Sequence, residues 1–87
     1  MPKVIIPFSC RNCTDNQHEI NMDGENLGEI MEGLWRRHPE LKTMLDDSAM
    51  LSVFVNSKLV TTGSEKWDLV SLHKEDEIAL IIPIAGG

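Results

Sequence analysis

Basic residues are scarce in this chain of 87 residues, which has 8 Lys and Arg against 14 Asp and Glu and a formal net charge of −6. Proteins that bind nucleic acid neutralise phosphates with a basic surface, and anionic lipid attracts the same kind of surface. We therefore expect neither nucleic acid nor a membrane as partner. The acidic charge favours encounter with a protein whose docking groove is positive, although it also serves solubility alone.

Long hydrophobic runs are missing as well. No stretch approaches the roughly 18 consecutive apolar residues of a membrane-spanning helix, and no signal-peptide pattern opens the sequence, so we expect a cytoplasmic protein. The length predicts a single domain over residues 1–87, which buries about 60–65% of its unfolded surface. A domain of this size has one core and no room for a deep catalytic cavity.

Catalytic signatures are also absent from the sequence. It shows no pairing of a nucleophile with a base, no phosphate-binding loop and no paired carboxylates. We therefore expect a protein that is not an enzyme and that binds no cofactor of its own.

The two cysteines form a single C-x-x-C, Cys10 and Cys13. Such a pair can bind zinc or exchange disulfides, but zinc usually takes four ligands and the sequence has no second pair. A redox pair usually lies at a helix N-terminus, and no helix is predicted before Asn26. We expect no metal site and interpret the cysteines as inert thiols at a hairpin turn.

The spacing of apolar residues predicts five strands and one main helix. Apolar or alternating stretches predict strands near residues 4–8, 17–22, 50–55, 58–60 and 78–84. One stripe at helical spacing predicts a helix over about 27–38, formed by Leu27, Ile30, Met31, Leu34 and Trp35. Asn26 is the predicted N-cap of this helix, and Glu29 completes a capping box.

The connections are predicted to be less regular. Leu41, Met44 and Leu45 indicate a short helical turn after Pro39. Residues 61–71 are polar apart from isolated apolar residues, and they predict a loop anchored by Trp67, Leu69 and Val70.

The predicted order of elements indicates an α+β roll. The first and last strands are nearly all apolar, so we expect both faces of the last strand to need cover and both strands to lie at the centre of one sheet. A crossover that contains the helix lets these two strands run parallel. The prediction is a mixed sheet of about four to five strands with the helix packed on one face.

Three stretches of the sequence resemble a known family. Residues 76–87, Phe54-Val55-Asn56 and residues 24–30, together with the predicted element order, resemble the β-grasp (ubiquitin-like) fold and its sulfur carrier proteins, which end in Gly-Gly. Residues 5–7 and Cys10-Arg11 favour the type that serves cysteine biosynthesis. One departure is the pair Glu75-Asp76, where the family usually has Gly-Asp. If that position has a positive φ, Glu costs on the order of 1 kcal/mol relative to Gly.

The resemblance implies a function for the C-terminal residues. A partner related to ubiquitin-activating enzymes would use ATP to adenylate the Gly87 carboxylate and convert it to a thiocarboxylate. That group would donate sulfur to an activated metabolite held by a biosynthetic enzyme. Pro83, Ile84, Ala85 and Gly86 would lead into the partner's active site, with residues 84–87 as a flexible tail. Two glycines without Cβ atoms suit a narrow channel.

An exposed apolar patch on the sheet is the expected docking surface for these partners, and its candidate residues are Phe54, Leu59, Val60 and Ile82. Two alternatives share the same tail. One is the small subunit of molybdopterin synthase, and the other is a ubiquitin-like modifier joined to lysines through Gly87. A third alternative is a binding module whose C-x-x-C holds a metal.

Overall fold

The computed structural model describes residues 1–46 and 51–81. In chain order its elements are β1 (Lys3–Ile5), a first 3₁₀ helix (Phe8–Thr14), β2 (Glu19–Asn21), α1 (Leu27–Arg37), α2 (Pro39–Asp46), β3 (Ser52–Val55), β4 (Lys58–Leu59), a second 3₁₀ helix (Ser64–Leu69) and β5 (Glu77–Ile81). The predicted α+β class is confirmed. The parts of the predicted strands at Met50 and at residues 82–84 lie outside the described residues.

The five strands form one mixed sheet in the order β2-β1-β5-β3-β4. β1 and β5 run parallel with Val4 opposite Ile78, whereas the pairings β1–β2, β3–β4 and β3–β5 are antiparallel. Parallel neighbours require a crossover connection, and the chain between β1 and β5 contains both α-helices. The prediction that the first and last strands lie side by side and parallel in the interior of the sheet is confirmed.

The main helix begins where its capping residues predict. The Asn26 Oδ1 atom accepts a hydrogen bond of 2.9 Å from the Glu29 N–H. The Glu29 carboxylate in turn accepts one of 2.8 Å from the Glu25 N–H, one residue further back than in a standard capping box. The helix ends before Pro39, which begins α2 at a position where a missing N–H costs no hydrogen bond.

The core lies between α1 and one face of the sheet. The buried side of α1 consists of Leu27, Ile30, Met31 and Leu34, as its stripe predicted, and Trp35 packs partly buried at its margin. The sheet contributes Val4, Ile20, Val53, Ile78 and Leu80. No helix in the described part of the chain is long and apolar enough to cross a membrane.

The last strand is covered on one face only. Ile78 and Leu80 are buried beneath the helices, whereas Ala79 is half-buried and Ile81 is exposed. The expectation that both faces of this strand need cover is therefore wrong for its described part. The apolar residues of β5 that point away from α1 lie on an open face of the sheet.

The C-x-x-C lies in the first 3₁₀ helix, so the expectation that no helix precedes Asn26 is wrong. Cys10 is completely buried in the core cluster. Thr14 is also buried, and its hydroxyl lies 3.1 Å from the Arg11 carbonyl oxygen and 2.9 Å from that of Gln17. Its one hydroxyl proton can be donated to either carbonyl, and the N–H of the C-cap residue Asp15 also donates to the Arg11 carbonyl. Apolar periodicity could not predict the helix, because Thr14 and the C-cap residue Asp15, at which it ends, are polar.

The second 3₁₀ helix occupies part of the predicted loop at residues 61–71. Trp67 is an anchor, because its Nε1–H donates a hydrogen bond of 3.1 Å to the Thr62 carbonyl and its ring packs against the core. Leu69 is 73% exposed, so the prediction that it anchors the loop is wrong. The helix crosses closely over α1 at Gly28, where a Cβ atom would lie 3.1 Å from the Asp68 nitrogen.

Candidate functional site

The interior strand β5 leads to the C-terminal residues on which the predicted function depends. Ile81 is the last residue of β5 that the structure describes, and residues 82–87, including the whole predicted tail from Pro83 to Gly87, lie outside the described residues. β5 lies between β1 and β3. A chain continuing from Ile81 therefore starts at an interior strand of the sheet, beside the C-terminal end of the parallel strand β1.

An apolar row crosses four strands on the face of the sheet opposite α1. The register pairs Ile5 with Ala79, Ala79 with Phe54, and Phe54 with Leu59, and residues paired in this way share a face. Ile81, opposite Ser52, lies on the same face one step closer to the end of β5. We call these five apolar residues the open-face patch: Ile5, Phe54, Leu59, Ala79 and Ile81.

The open-face patch presents apolar surface to solvent. Leu59 is 54% exposed and Ile81 is 46% exposed, whereas Ile5, Phe54 and Ala79 are half-buried. A single exposed apolar residue is ordinary on a protein surface. Apolar residues in adjacent register on one face are instead typical of a surface that binds another molecule.

The structure brings together two of the four residues predicted for the partner surface. Phe54 and Leu59 are direct cross-strand neighbours. Val60 instead packs against the core cluster, and we do not include it in the patch. Ile82 lies outside the described residues.

Sequence reasoning missed Ile5, Ala79 and Ile81 as surface residues. A signal was present, because Ile5 lies between the buried residues Val4 and Ile6, and in Ile78-Ala79-Leu80-Ile81 every second residue lies on one face. The uniformly apolar composition of β5 hid that alternation, since it does not distinguish the covered face from the open one.

The turn between β3 and β4 is tied to the start of β5. Asn56 and Ser57 have φ values of 51° and 70°, as the predicted tight turn requires. The Asn56 Nδ2–H donates a hydrogen bond of 2.8 Å to Asp76 Oδ1, and Asn56 Oδ1 accepts one of 3.0 Å from the Glu77 N–H. Glu75 does not have a positive φ. Its substitution for the usual glycine therefore carries no penalty of that kind.

Hydrogen bonds to Asp76 lower the pKa of its carboxyl group. The largest cause is the backbone N–H of His73, which donates to Oδ2 at 2.8 Å, and the next is the Asn56 side chain. Both bonds favour the ionised carboxylate, and they outweigh the opposite effect of desolvation. Asp76 is therefore charged at neutral pH and holds the N-terminal end of β5, while the C-terminal residues follow its other end.

The surroundings of Cys13 disfavour the reactive form of its thiol. Burial is the largest cause that raises the pKa of the Cys13 thiol, and Glu40 and Cys10 raise it further. The reactive form of a cysteine is the thiolate, which a raised pKa disfavours. Within residues 1–46 and 51–81, no three His, Cys, Asp or Glu side chains are grouped so that they could hold a metal ion.

Comparison with known proteins identifies one family and a shared fold. The model of the ThiS family matches residues 4–87. No curated protein matches the chain by sequence.

Solved structures with the same fold match almost the whole chain. The match to the BexX/CysO complex of Amycolatopsis orientalis has a TM-score of 0.82 at 23% identity. It covers 100% of this chain and 100% of the matched chain. CysO of Mycobacterium tuberculosis, described as an antigen, has a TM-score of 0.79 at 18% identity and covers 97% of this chain and 100% of that one. The small archaeal modifier protein 1 of Methanosarcina acetivorans has a TM-score of 0.77 at 21% identity. The match covers 99% of this chain and 95% of that one.

Proposed function

Because the chain belongs to the ThiS family, we propose that it is a sulfur carrier protein that accepts and donates sulfur at the carboxyl group of Gly87. The observation that carries the proposal is the family match itself. It extends from residue 4 to residue 87 and so includes both the interior strand β5 and the Gly-Gly sequence. The β-grasp architecture, with β1 parallel to β5, agrees with this assignment.

The first step activates a carboxylate that is otherwise a poor electrophile. A Gly87 oxygen attacks the α-phosphorus of ATP on an adenylating partner enzyme, pyrophosphate leaves, and an acyl adenylate forms. The carrier contributes the carboxylate, and the partner contributes the ATP site. The carrier is thus a co-substrate rather than an enzyme.

The second step replaces AMP with sulfur. Sulfide attacks the acyl carbon directly and expels AMP, leaving a thiocarboxylate. An enzyme persulfide reaches the same product through an acyl disulfide, which a second thiol cleaves. The thiocarboxylate is an anionic, soft nucleophile at neutral pH, so it can attack an activated metabolite without releasing free sulfide.

The acceptor that we propose is an activated metabolite on the route to cysteine or a related sulfur compound. The sequence features at residues 5–7 and at Cys10-Arg11 support this subtype, and two CysO chains share the fold. Transfer to a molybdopterin precursor is the alternative within the same chemistry.

The residues of the chain itself provide delivery and docking. Ala85, Gly86 and Gly87 are slim enough to enter a narrow active-site channel, and Pro83 limits the conformations of the segment before them, which lowers the ordering cost of docking. The open-face patch is the docking surface that we propose for the partners. A protein with this fold does bind a second protein, since one of the similar structures is a complex of CysO with BexX.

A ubiquitin-like protein modifier is the second candidate function. The observation that favours it is the similarity to a small archaeal modifier protein, at a TM-score of 0.77. Both functions begin with adenylation of Gly87, but the acyl group is then transferred to a lysine amine rather than to sulfide. A ladder of covalent, higher-mass species in lysate of the native host favours the modifier.

Pyrophosphate exchange tests the adenylation of Gly87, the step that the carrier and the modifier share. The adenylating enzyme of the same host is incubated with ATP, labelled pyrophosphate and the carrier. We expect label to appear in ATP only when the carrier is present, because adenylation of Gly87 is reversible until sulfide attacks. Absence of carrier-dependent exchange would contradict the proposal.

A further inference from the structure

Phe8 is the most exposed large apolar residue in the described part of the chain. Its side chain is 82% exposed, and the Arg11 guanidinium carbon lies 5.1 Å from the centre of its ring. A cation over an aromatic face at this distance is attracted by the ring electrons. The pair forms a combined apolar and cationic surface that the sheet patch does not contain.

The sheet register places this pair near the C-terminal residues. Ile5 is opposite Ala79 in the parallel pair β1–β5. Phe8 follows Ile5 by three residues, at most about 11 Å of chain, and Ile81 follows Ala79 by two residues, at most about 7 Å. Since parallel strands end at the same edge of a sheet, the first 3₁₀ helix and the exit from β5 share that edge.

The 3₁₀ helix that carries Phe8 and Arg11 is anchored in the core. The first 3₁₀ helix is held by two completely buried side chains, Cys10 and Thr14. The Arg11 Nε atom is shielded from solvent, and no described residue accepts a hydrogen bond from it. The backbone that carries Phe8 and Arg11 is therefore anchored to the core, and such anchoring lowers the entropic cost of using the pair in an interface.

We propose that Phe8 and Arg11 form a second docking element, beside the open-face patch, for the enzyme that adenylates Gly87. This inference rests on the proposed function. An enzyme that encloses Gly87 has its active site within about 20 Å of Ile81, the full extension of six residues. A standard interface covers about 800 Å² on each partner, equivalent to a disc about 16 Å in radius. A disc of this radius centred on Ile81 includes the edge of the sheet at which the first 3₁₀ helix lies.

The chemistry of the pair defines the complementary site on the enzyme. Phe8 requires an apolar pocket, and the Arg11 guanidinium requires a carboxylate at the rim of that pocket. On a carrier with a net charge of −6, a cation at this edge of the sheet pairs with a carboxylate at one position of a mainly positive groove and so fixes how the carrier docks. Adenylation precedes every later transfer, so this encounter is the one that selects the carrier.

The test compares carrier variants in the pyrophosphate exchange reaction. The two test variants are Phe8→Ala and Arg11→Gln. The control for Phe8→Ala is Leu69→Ala, which truncates a residue that is 73% exposed on the second 3₁₀ helix. The control for Arg11→Gln is Arg37→Gln at the end of α1. We expect the carrier concentration for half-maximal rate to rise about tenfold for Phe8→Ala, as for an interface residue worth more than 1 kcal/mol. The maximal rate and the control variants should change less than about twofold.

A second measurement does not depend on the stability of the variants. A benzophenone amino acid in place of Phe8 is expected to cross-link to the adenylating enzyme on illumination, and the same group in place of Leu69 is not. Unchanged kinetics for Phe8→Ala and Arg11→Gln with no cross-link at position 8, while the wild-type carrier is adenylated, would overturn this inference and leave the proposed function standing. If the wild-type carrier supports no exchange, both are wrong.

Discussion

Asn56 and Asp76 lie twenty positions apart in the sequence, and the Asn56 amide donates a hydrogen bond of 2.8 Å to the Asp76 carboxylate. The same amide accepts a hydrogen bond from the Glu77 N–H at 3.0 Å. One side chain in the β3–β4 turn thereby fixes the start of β5. This contact therefore positions the N-terminal end of the strand that precedes the C-terminal residues.

Replacement of Asn56 tests the contribution of this contact to stability. Asn56→Ala removes two hydrogen bonds, each worth about 0.5–1.5 kcal/mol, and places alanine at a left-handed φ that costs about 1–2 kcal/mol. We expect the free energy of unfolding in urea to fall by about 2–5 kcal/mol. Asn56→Gly tolerates the same φ, so it should lose only the hydrogen-bond part. Equal losses for both variants would show that the side-chain hydrogen bonds, not the backbone conformation, carry the whole effect.

Stability should depend on pH through Asp76. The pKa of its carboxyl group is lower in the folded chain than in the unfolded chain, so the unfolded state takes up the proton first as the solution is acidified. The stabilisation is therefore complete above the unfolded pKa of about 3.9 and is lost as the pH falls through the lower folded pKa. We expect Asp76→Asn to be less stable than the wild type at pH 7. Urea unfolding should show this difference shrinking below about pH 4, and a difference that is constant with pH would contradict the assignment.

Features of the fold that depend on local pattern were predictable from the sequence. The stripe from Leu27 to Trp35 and the Asn26 cap located α1, and the apolar terminal strands located the parallel pair. The first 3₁₀ helix was not predictable, because it ends in the polar residues Thr14 and Asp15 and shows no apolar repeat. The exposure of Ile81 also depends on which face the helices cover, and its strand is apolar on both faces.

The candidate site was only partly predictable, because its contacts depend on strand order and on which face of the sheet the helices cover. Phe54 and Leu59 stood out as apolar residues around a recognisable turn, and their direct pairing is confirmed. Phe8 stood in an apolar run that predicted a strand, so its exposure was not expected. The contact between Asn56 and Asp76 depends on strand order, which brings a turn and a strand end together across twenty residues.

Changes at the Gly-Gly sequence test delivery of the carboxylate. Gly86→Val adds a β-branched side chain where a narrow channel accepts only a slim backbone, and one residue added after Gly87 moves the carboxylate out of position. We expect either change to abolish pyrophosphate exchange while the thermal unfolding midpoint shifts by less than about 4 °C, the shift that about 0.5 kcal/mol produces in a domain of this size. One residue added before Met1 is the matched control and should leave exchange unchanged. Sulfur delivery by the extended carrier or by the Gly86→Val carrier would contradict the proposed role of the tail.

A charge placed on the open-face patch tests whether the patch is the docking surface. Leu59→Asp adds a carboxylate at an exposed position whose cross-strand neighbour is Phe54. We expect kcat/KM for adenylation to fall about tenfold or more, as for an interface residue worth more than 1 kcal/mol, with little loss of stability. Leu69→Asp adds the same charge outside the patch and serves as the control. Equal effects of the two substitutions would indicate a general response to charge and would exclude a specific docking role for Leu59.

The cysteines should be dispensable for sulfur transfer. Cys10 is completely buried, so Cys10→Ala with Cys13→Ala avoids placing a hydroxyl in the core and leaves a small cavity instead. We expect the double variant to lose about 1–2 kcal/mol of stability, in the lower range for a buried side-chain truncation. The rate of thiocarboxylate formation, measured well below the unfolding temperature, should remain within about twofold. A carrier that folds but no longer transfers sulfur would assign a chemical role to the C-x-x-C.

The intact mass of the carrier after reaction tests the central claim most directly. The carrier is incubated with the adenylating enzyme of its native host, ATP and a sulfide source, and its mass is measured with and without a thiol-reactive label. We expect one oxygen-for-sulfur exchange that fragmentation maps to Gly87 and that persists in the variant lacking both cysteines. A Gly87 that stays unmodified when enzyme, ATP and sulfide are all present would contradict the sulfur-carrier account.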